Sequence, residues 1–159
     1  MKSHVDLHAG IEQYQSKYRR EDLPSLVVSG LYDLFSERGS DQQISLRWPD
    51  PWQSAVSAGV YIMLDEGLSI LYVGKASLRN SLGSRLAGYF GYFQYPHDRR
   101  CKILSSNWTT LPRYVVTVGV AYPFEAPALE EYLIGELQPP DNRQGILPIE
   151  TCVPPHSGD

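Results

Sequence analysis

Two phenols, two cations, a carboxylate and an amide follow one another along this chain in an order that suits phosphate-ester chemistry. Gly59-Val60-Tyr61 and Tyr72-Val73-Gly74 lie on either side of a short turn, with ten residues between the tyrosines, and Lys75, Arg85, Glu130 and Asn142 come after them. Hydrolysis of a phosphodiester needs an activated water, relief of charge on the phosphate and stabilisation of the leaving oxygen. A phenol can accept the proton, but a free phenol titrates near ~10, so Tyr61 or Tyr72 needs positive charge nearby to serve as a base. The guanidinium of Arg85 can grip a phosphate through its fork. Glu130 can hold a hard divalent ion that keeps most of its ligands as water.

The elements that must position these groups are short. Residues 59–64 (GVYIML) and 69–74 (SILYVG) read as strands joined at Asp65-Glu66-Gly67-Leu68. A two-residue turn on Glu66-Gly67 pairs Tyr61 with Tyr72, opposite each other on one face. A longer loop would shift the register by one and separate the rings. Neither strand alternates cleanly, which predicts a sheet covered on both faces. Residues 79–90 predict a helix with Leu78, Leu82, Leu86 and Tyr89 on its apolar stripe and Arg85 at the edge of that stripe. Arg113 to Tyr122 predicts a third strand. Pro127 to Leu137 predicts a long helix, with Pro127 in its first turn. On that helix Glu130 falls within the arc of Leu129, Leu133, Ile134 and Leu137, while Glu131 points to water. A carboxylate on the core side is costly unless a cation meets it, so Glu130 is the one that needs a partner.

The remainder frames this region. Residues 1–58 read as an N-terminal helical extension and connector, with Leu26, Val27, Leu31, Leu34 and Phe35 at helical spacing. His4, Asp6 and His8 have ligand spacing on a terminus expected to fray. Residues 91–113 form an insertion rich in aromatic and basic side chains, and 146–159 a C-terminal tail. The two cysteines, Cys101 and Cys152, are far apart, which disfavours a disulfide framework or a cysteine zinc site and suits a cytoplasmic setting. No apolar run is long enough to span a bilayer. Net charge is −4, but its distribution is uneven. Residues 72–114 hold seven cations and one anion, whereas 115–159 hold one cation and seven anions. A phosphate backbone responds to the local field, so the overall acidity does not exclude a nucleic-acid ligand.

This order of residues resembles the GIY-YIG nuclease family. Val60 and Val73 stand where the family name has Ile. The segments Leu71-Tyr72-Val73-Gly74-Lys75-Ala76 and Arg85-Leu86-Ala87-Gly88-Tyr89-Phe90 look like those of the bacterial excision-repair incision subunit. So does Leu129-Glu130 through Leu133-Ile134 to Pro139 and Asn142. The resemblance covers about 59–145, with Ser77–Ser84 slightly longer than in that subunit and 91–113 inserted. It implies an α+β sandwich, a small three-stranded antiparallel sheet flanked by helices. It implies a metal-dependent endonuclease acting on DNA, with one Mg2+ or Mn2+ ion on Glu130. Tyr61 or Tyr72 would be the base, helped by Lys75; Arg85 would bind phosphate; Asn142 would orient Glu130 or a water on the metal. Gly59 and Gly74 complete the motif. Arg79, Tyr89, Arg99, Arg100 and Lys102 are expected to contact DNA, whether branched, damaged or single-stranded, and residues 1–58 to offer a surface for a protein partner. The alternative is a catalytically inactive domain that serves as a nucleic-acid-binding or protein-interaction module.

Overall fold

The computed structural model describes residues 1–34, 46–47, 52–94, 98–104 and 108–142; for 46–47, 91–94 and 98–103 only the main chain is described. In chain order the elements are α1 (His4–Lys17), β1 (Val27–Val28), β2 (Tyr32–Asp33), β3 (Leu46–Arg47), β4 (Gly59–Leu64), β5 (Ile70–Ala76), α2 (Leu82–Ala87), β6 (Phe90–Gln94), β7 (Asp98–Ile103), β8 (Tyr114–Gly119) and α3 (Glu125–Leu137). The three expected strands form the antiparallel centre β8-β4-β5. Three two-residue strands enlarge it: β1 and β2 pair with β8, and β3 lies parallel to β2. β6 and β7 make a separate antiparallel hairpin within the expected insertion.

Both faces of the sheet are covered, as the non-alternating strands required. Val60, Ile62, Leu64, Val73, Val116 and Val118 pack under α1 and α3, against Leu7, Ile11, Leu129 and Leu133. Tyr61, Met63, Ala76 and Val115 face the other way, toward Leu82 and Leu86 of α2. The fully buried leucines each remove roughly 1.5–3 kcal/mol worth of apolar surface from water.

The N-terminal extension differs from its sequence reading in three ways. Only its first part is helical among the described residues. The apolar residues from Leu26 to Leu34, read as a second helix, instead give β1 and β2. The same spacing serves short strands whose alternate residues reach a core, and pairing with β8 decides the outcome. The apolar face of α1 is turned inward: Leu7, Ile11 and Tyr14 are buried in the main core. Arg19, just beyond α1, is ion-paired with Glu125 at the start of α3, with the two side chains 3% and 6% exposed. The terminus, expected to fray, is tied down by hydrogen bonds at Ser3, His4 and Ile70. The Ser3 N–H donates to the Asp6 carboxylate at 2.8 Å and caps the helix. The His4 N–H donates to the Leu68 carbonyl and the Ile70 N–H to the Lys2 carbonyl.

The helix expected over 79–90 is confined to 82–87, capped by Ser81, whose Oγ accepts from the Ser84 N–H. Leu78 is therefore not on its stripe. It is exposed, with a left-handed backbone (φ 57°). α3 starts two residues earlier than expected and keeps Pro127 in its first turn. Among the described residues no helix is long and apolar enough to cross a membrane.

Candidate active site

The β4–β5 register differs from the two-residue-turn reading by two steps. The loop has three residues between Asp65 and Ser69: the Leu68 N–H donates to the Asp65 carbonyl and the Asp65 N–H to the Ser69 carbonyl. Leu68 takes the left-handed conformation (φ 63°) that such a loop needs at its end. That is one step. Leu71 then bulges out of β5, because Met63 pairs with Tyr72 while Leu64 pairs with Ile70. That is the second. Two single steps restore the face, so Tyr61 and Tyr72 still point to the same side, but diagonally. Their ring centroids are 6.2 Å apart.

Gly74, not Tyr72, stands directly across from Tyr61. A Cβ on Gly74 would lie 2.5 Å from the Tyr61 Cζ and hydroxyl and 2.7 Å from Tyr72 Cε1. The tyrosine ring thus occupies the space a side chain at 74 would need. Gly59 has a comparable reason: a Cβ there would meet the Val118 carbonyl oxygen at 2.1 Å. Both motif glycines allow close approach.

A third phenol joins the pair. The Tyr61 hydroxyl donates to the Tyr89 hydroxyl at 3.2 Å, and the Tyr89 ring lies 5.7 Å from that of Tyr61 and 6.3 Å from that of Tyr72. Trp108 closes the cluster, 5.8 Å from Tyr72 and 6.1 Å from Tyr89. On the helix expected over 79–90, Arg85 and Tyr89 fall four residues apart, which is the sequence signal for this arrangement, although the structure places Tyr89 in the turn just beyond α2. Nothing in the local sequence marks Trp108 as their neighbour. Its loop is set by Thr109, which donates from both N–H and hydroxyl to Asp141.

Arg85 sits on α2 beside these phenols, exposed, with no carboxylate partner among the described residues. Nearness to Tyr61, in the face of some burial, and then to Tyr89 and Tyr72, holds its guanidinium above the ordinary arginine value. Tyr61 is fully buried, and burial pushes its phenol well above the ordinary tyrosine value, with Tyr89 adding to the rise and Arg85 opposing it. Tyr72 is half-buried and is also raised, first by burial, then by Tyr89, and further by the negative charge of Glu130. At Tyr61 burial outweighs the opposing charge of Arg85, and Lys75, the cation expected to help, is not among the causes at either phenol.

Side chains alternate along β5, so Lys75 projects to the α3 face while Tyr72 and Gly74 project to the α2 face. Lys75 meets Glu130 in an ion pair there, the side chains 39% and 13% exposed. This is the cation that the inward-facing Glu130 required, and Glu131 is exposed as expected. The six residues are therefore distributed about one strand, β5. The phenols and Arg85 lie on one side, Lys75 and Glu130 on the other, and the charge of Glu130 is felt at Tyr72.

Asn142 occupies the strand's outer edge. Its Oδ1 accepts from the Val73 N–H at 2.8 Å and its Nδ2 donates to the Val73 carbonyl at 2.7 Å. The Asp141 N–H donates to the Leu71 carbonyl at the bulge. Residues 141–142 thus act as a stub of a further strand, closing an edge that would otherwise be unpaired. Orientation of Glu130 or of a water was expected of Asn142; its buried amide is instead occupied by the main chain between Tyr72 and Gly74. Arg79 is exposed on the loop before α2. Arg99, Arg100 and Lys102 lie on β7, where side chains are outside the described set.

Residues 57–143 match the family described as UvrC-like GIY-YIG domain. The chain belongs to the GIY-YIG family. It is also similar to the UvrABC system protein C of Gloeobacter violaceus, 43% identical over 70 residues that cover 43% of this chain and 8% of that relative. The chain thus matches only a small part of that relative's length. No solved structure matched it. The GIY-YIG match encloses β4, β5, α2, β8, α3 and Asn142, which are the elements that carry every group of the candidate site. Membership indicates a nuclease domain at the level of the family. α1, β1, β2 and β3, which enlarge and back the sheet, lie outside the match.

Proposed function

We propose that this chain is an endonuclease that hydrolyses DNA phosphodiester bonds, and that Tyr61, Tyr72, Lys75, Arg85, Glu130 and Asn142 form its active site. The observation that carries the reading is Arg85. An exposed guanidinium without a carboxylate partner among the described residues, beside three clustered phenols, is an anion receptor built next to groups that can move a proton. Arg85 binds a non-bridging phosphate oxygen through its fork. Tyr72 is the better candidate for proton acceptor, because Tyr61 is shut from solvent and Tyr72 is only half-buried. Both phenols are held protonated in the free protein. Glu130 contributes to that at Tyr72, so neutralising its charge removes one of the causes.

The residues fit a hard divalent ion on Glu130. Lys75 engages Oε2, and Oε1 has no hydrogen bond among the described residues. A single carboxylate with water for the remaining ligands suits Mg2+ or Mn2+. When bound, such an ion supplies Lewis-acid relief of the charge on the phosphate. Asn142 is a positioning residue: it fixes the strand between Tyr72 and Lys75. The cations of 72–114, Arg79 among them, would steer the DNA backbone. The separated cysteines suit a reducing, cytoplasmic setting.

A second reading, an inactive DNA-binding module, is favoured by the Lys75–Glu130 pair, which satisfies the carboxylate without a metal, and by the raised phenols. Labelled duplex, nicked, flap and single-stranded DNAs, incubated with and without Mg2+ or Mn2+, decide between them. Endonuclease activity predicts metal-dependent cutting by the wild type and none by Glu130→Ala, with binding retained in both. Salt-sensitive binding by a wild type that never cuts gives the second reading its place.

A further inference from the structure

α1 carries two side chains that phosphodiester chemistry leaves unused. His4 and His8 stand one helical turn apart, their Nε2 atoms 3.2 Å from each other and their rings edge to face with centroids 4.6 Å apart. The helix that presents them is fixed. Ser3 caps it, main-chain hydrogen bonds tie its start to the β4–β5 loop, and Leu7 and Ile11 between and beyond the histidines are buried. Asp6 is committed to Ser3 and Lys2, so it leaves the imidazoles to themselves. His8 is exposed and His4 half-buried, so the paired nitrogens can be reached from solvent.

We propose that His4 and His8 chelate a divalent d-block cation, Zn2+ or Ni2+, through their two Nε2 atoms, with solvent completing the coordination. Two imidazole nitrogens at zinc bond lengths of about 2.0–2.1 Å and a tetrahedral angle stand about 3.3–3.4 Å apart. The observed separation of 3.2 Å is close to that requirement. Imidazole selects zinc, nickel or copper over magnesium. This site therefore takes a different class of ion from the one suited to Glu130. The ligand form is the neutral ring. Burial, and then the neighbouring His8, hold His4 below the ordinary histidine value, which favours that form. The bound ion joins the first two turns of α1. That helix packs on α3, where the Cδ2 of Leu133 lies within 3.4 Å of the space a Cβ on Gly10 would take.

The test is calorimetric titration of the full chain with Zn2+ or Ni2+, alongside thermal melting with each ion and with Mg2+. One equivalent is expected to bind at this helix. At a free ion concentration about 100 times the dissociation constant, the folding equilibrium should shift about 100-fold toward the native state. His4→Gln and His8→Gln should each weaken binding at least about tenfold, since each removes half of the protein's ligands, and Mg2+ should not compete. The chain has four histidines and two cysteines in all, so the variant with both His4 and His8 replaced is the control. Absence of Zn2+ and Ni2+ binding by the wild type overturns the proposal and leaves a plain imidazole hydrogen bond. Undiminished binding by the double variant overturns it equally. His8 is exposed, so its replacement leaves the fold intact for the comparison. No step reads DNA cutting, so failure here and failure of the nuclease reading are separate results.

Discussion

Tyr61 and Gly74 are cross-strand partners, and the tyrosine ring fills the space that any side chain at 74 would take. The motif glycine is thus part of the phenol's own seat. Gly74→Ala places a methyl carbon 2.5 Å from the Tyr61 ring and hydroxyl, closer than packed atoms ever stand. The ring is fully buried and has nowhere to go without moving Tyr89 or Tyr72. The expected outcome is a loss of about 1–3 kcal/mol in a chemical-denaturation experiment. A shift of the Tyr61 and Tyr89 ring resonances should accompany it. Unchanged stability and unchanged resonances would show that the ring does not rest on Gly74.

Asn142 closes the edge of β5 with two hydrogen bonds to Val73. Asn142→Ala strips both partners from a buried main-chain N–H and C=O, at about 1–3 kcal/mol for each group left unsatisfied. Amide exchange at Val73 should accelerate more than at Ile62, which lies within the sheet. Loss of activity without any change in Val73 exchange would mean that Asn142 acts on the substrate and not on the strand.

The phenols give the fold an alkaline limit. Burial raises Tyr61 and Tyr72 above their ordinary value, so the native state keeps protons that the unfolded chain releases. The sign follows directly. Stability is complete below about pH 10, where the unfolded phenols are still protonated, and declines as pH rises above it toward the native values. Each phenol held in this way contributes a slope of about 1.4 kcal/mol per pH unit in that range. Tyr61→Phe should flatten the slope measured by denaturation between about pH 9 and 11. An identical slope in the variant would show that Tyr61 ionises as freely in the fold as out of it.

Much of this was legible in the residues, for reasons that can be named. Helical spacing separated Glu130 from Glu131, and the cost of an inward carboxylate called for the cation that Lys75 supplies. The alternation of a strand kept Tyr61 and Tyr72 on one face through two compensating register steps. The steps themselves were not legible: neither the left-handed Leu68 nor the bulge at Leu71 has a glycine or other marker. The apolar residues of 26–34 fitted helical spacing and still became β1 and β2, because the free edge of β8 is a long-range partner that no local pattern reports. Asn142 was found through the family resemblance, but its task was not. A clamp on Val73 depends on 141–142 returning beside β5, which only the folded chain reveals.

The measurement that bears most directly on the account is a comparison of the wild type with Arg85→Lys on one labelled DNA with Mg2+ or Mn2+, following cutting at saturating protein and binding without cutting. A lysine keeps the charge and loses the fork. The account predicts that the variant binds within a few-fold of the wild type, retains its salt dependence, and cuts at least about a hundredfold more slowly, the loss expected when a group stabilising transition-state charge is removed. Cutting at the wild-type rate would contradict it, because the exposed guanidinium beside the phenols would then have no part in the chemistry.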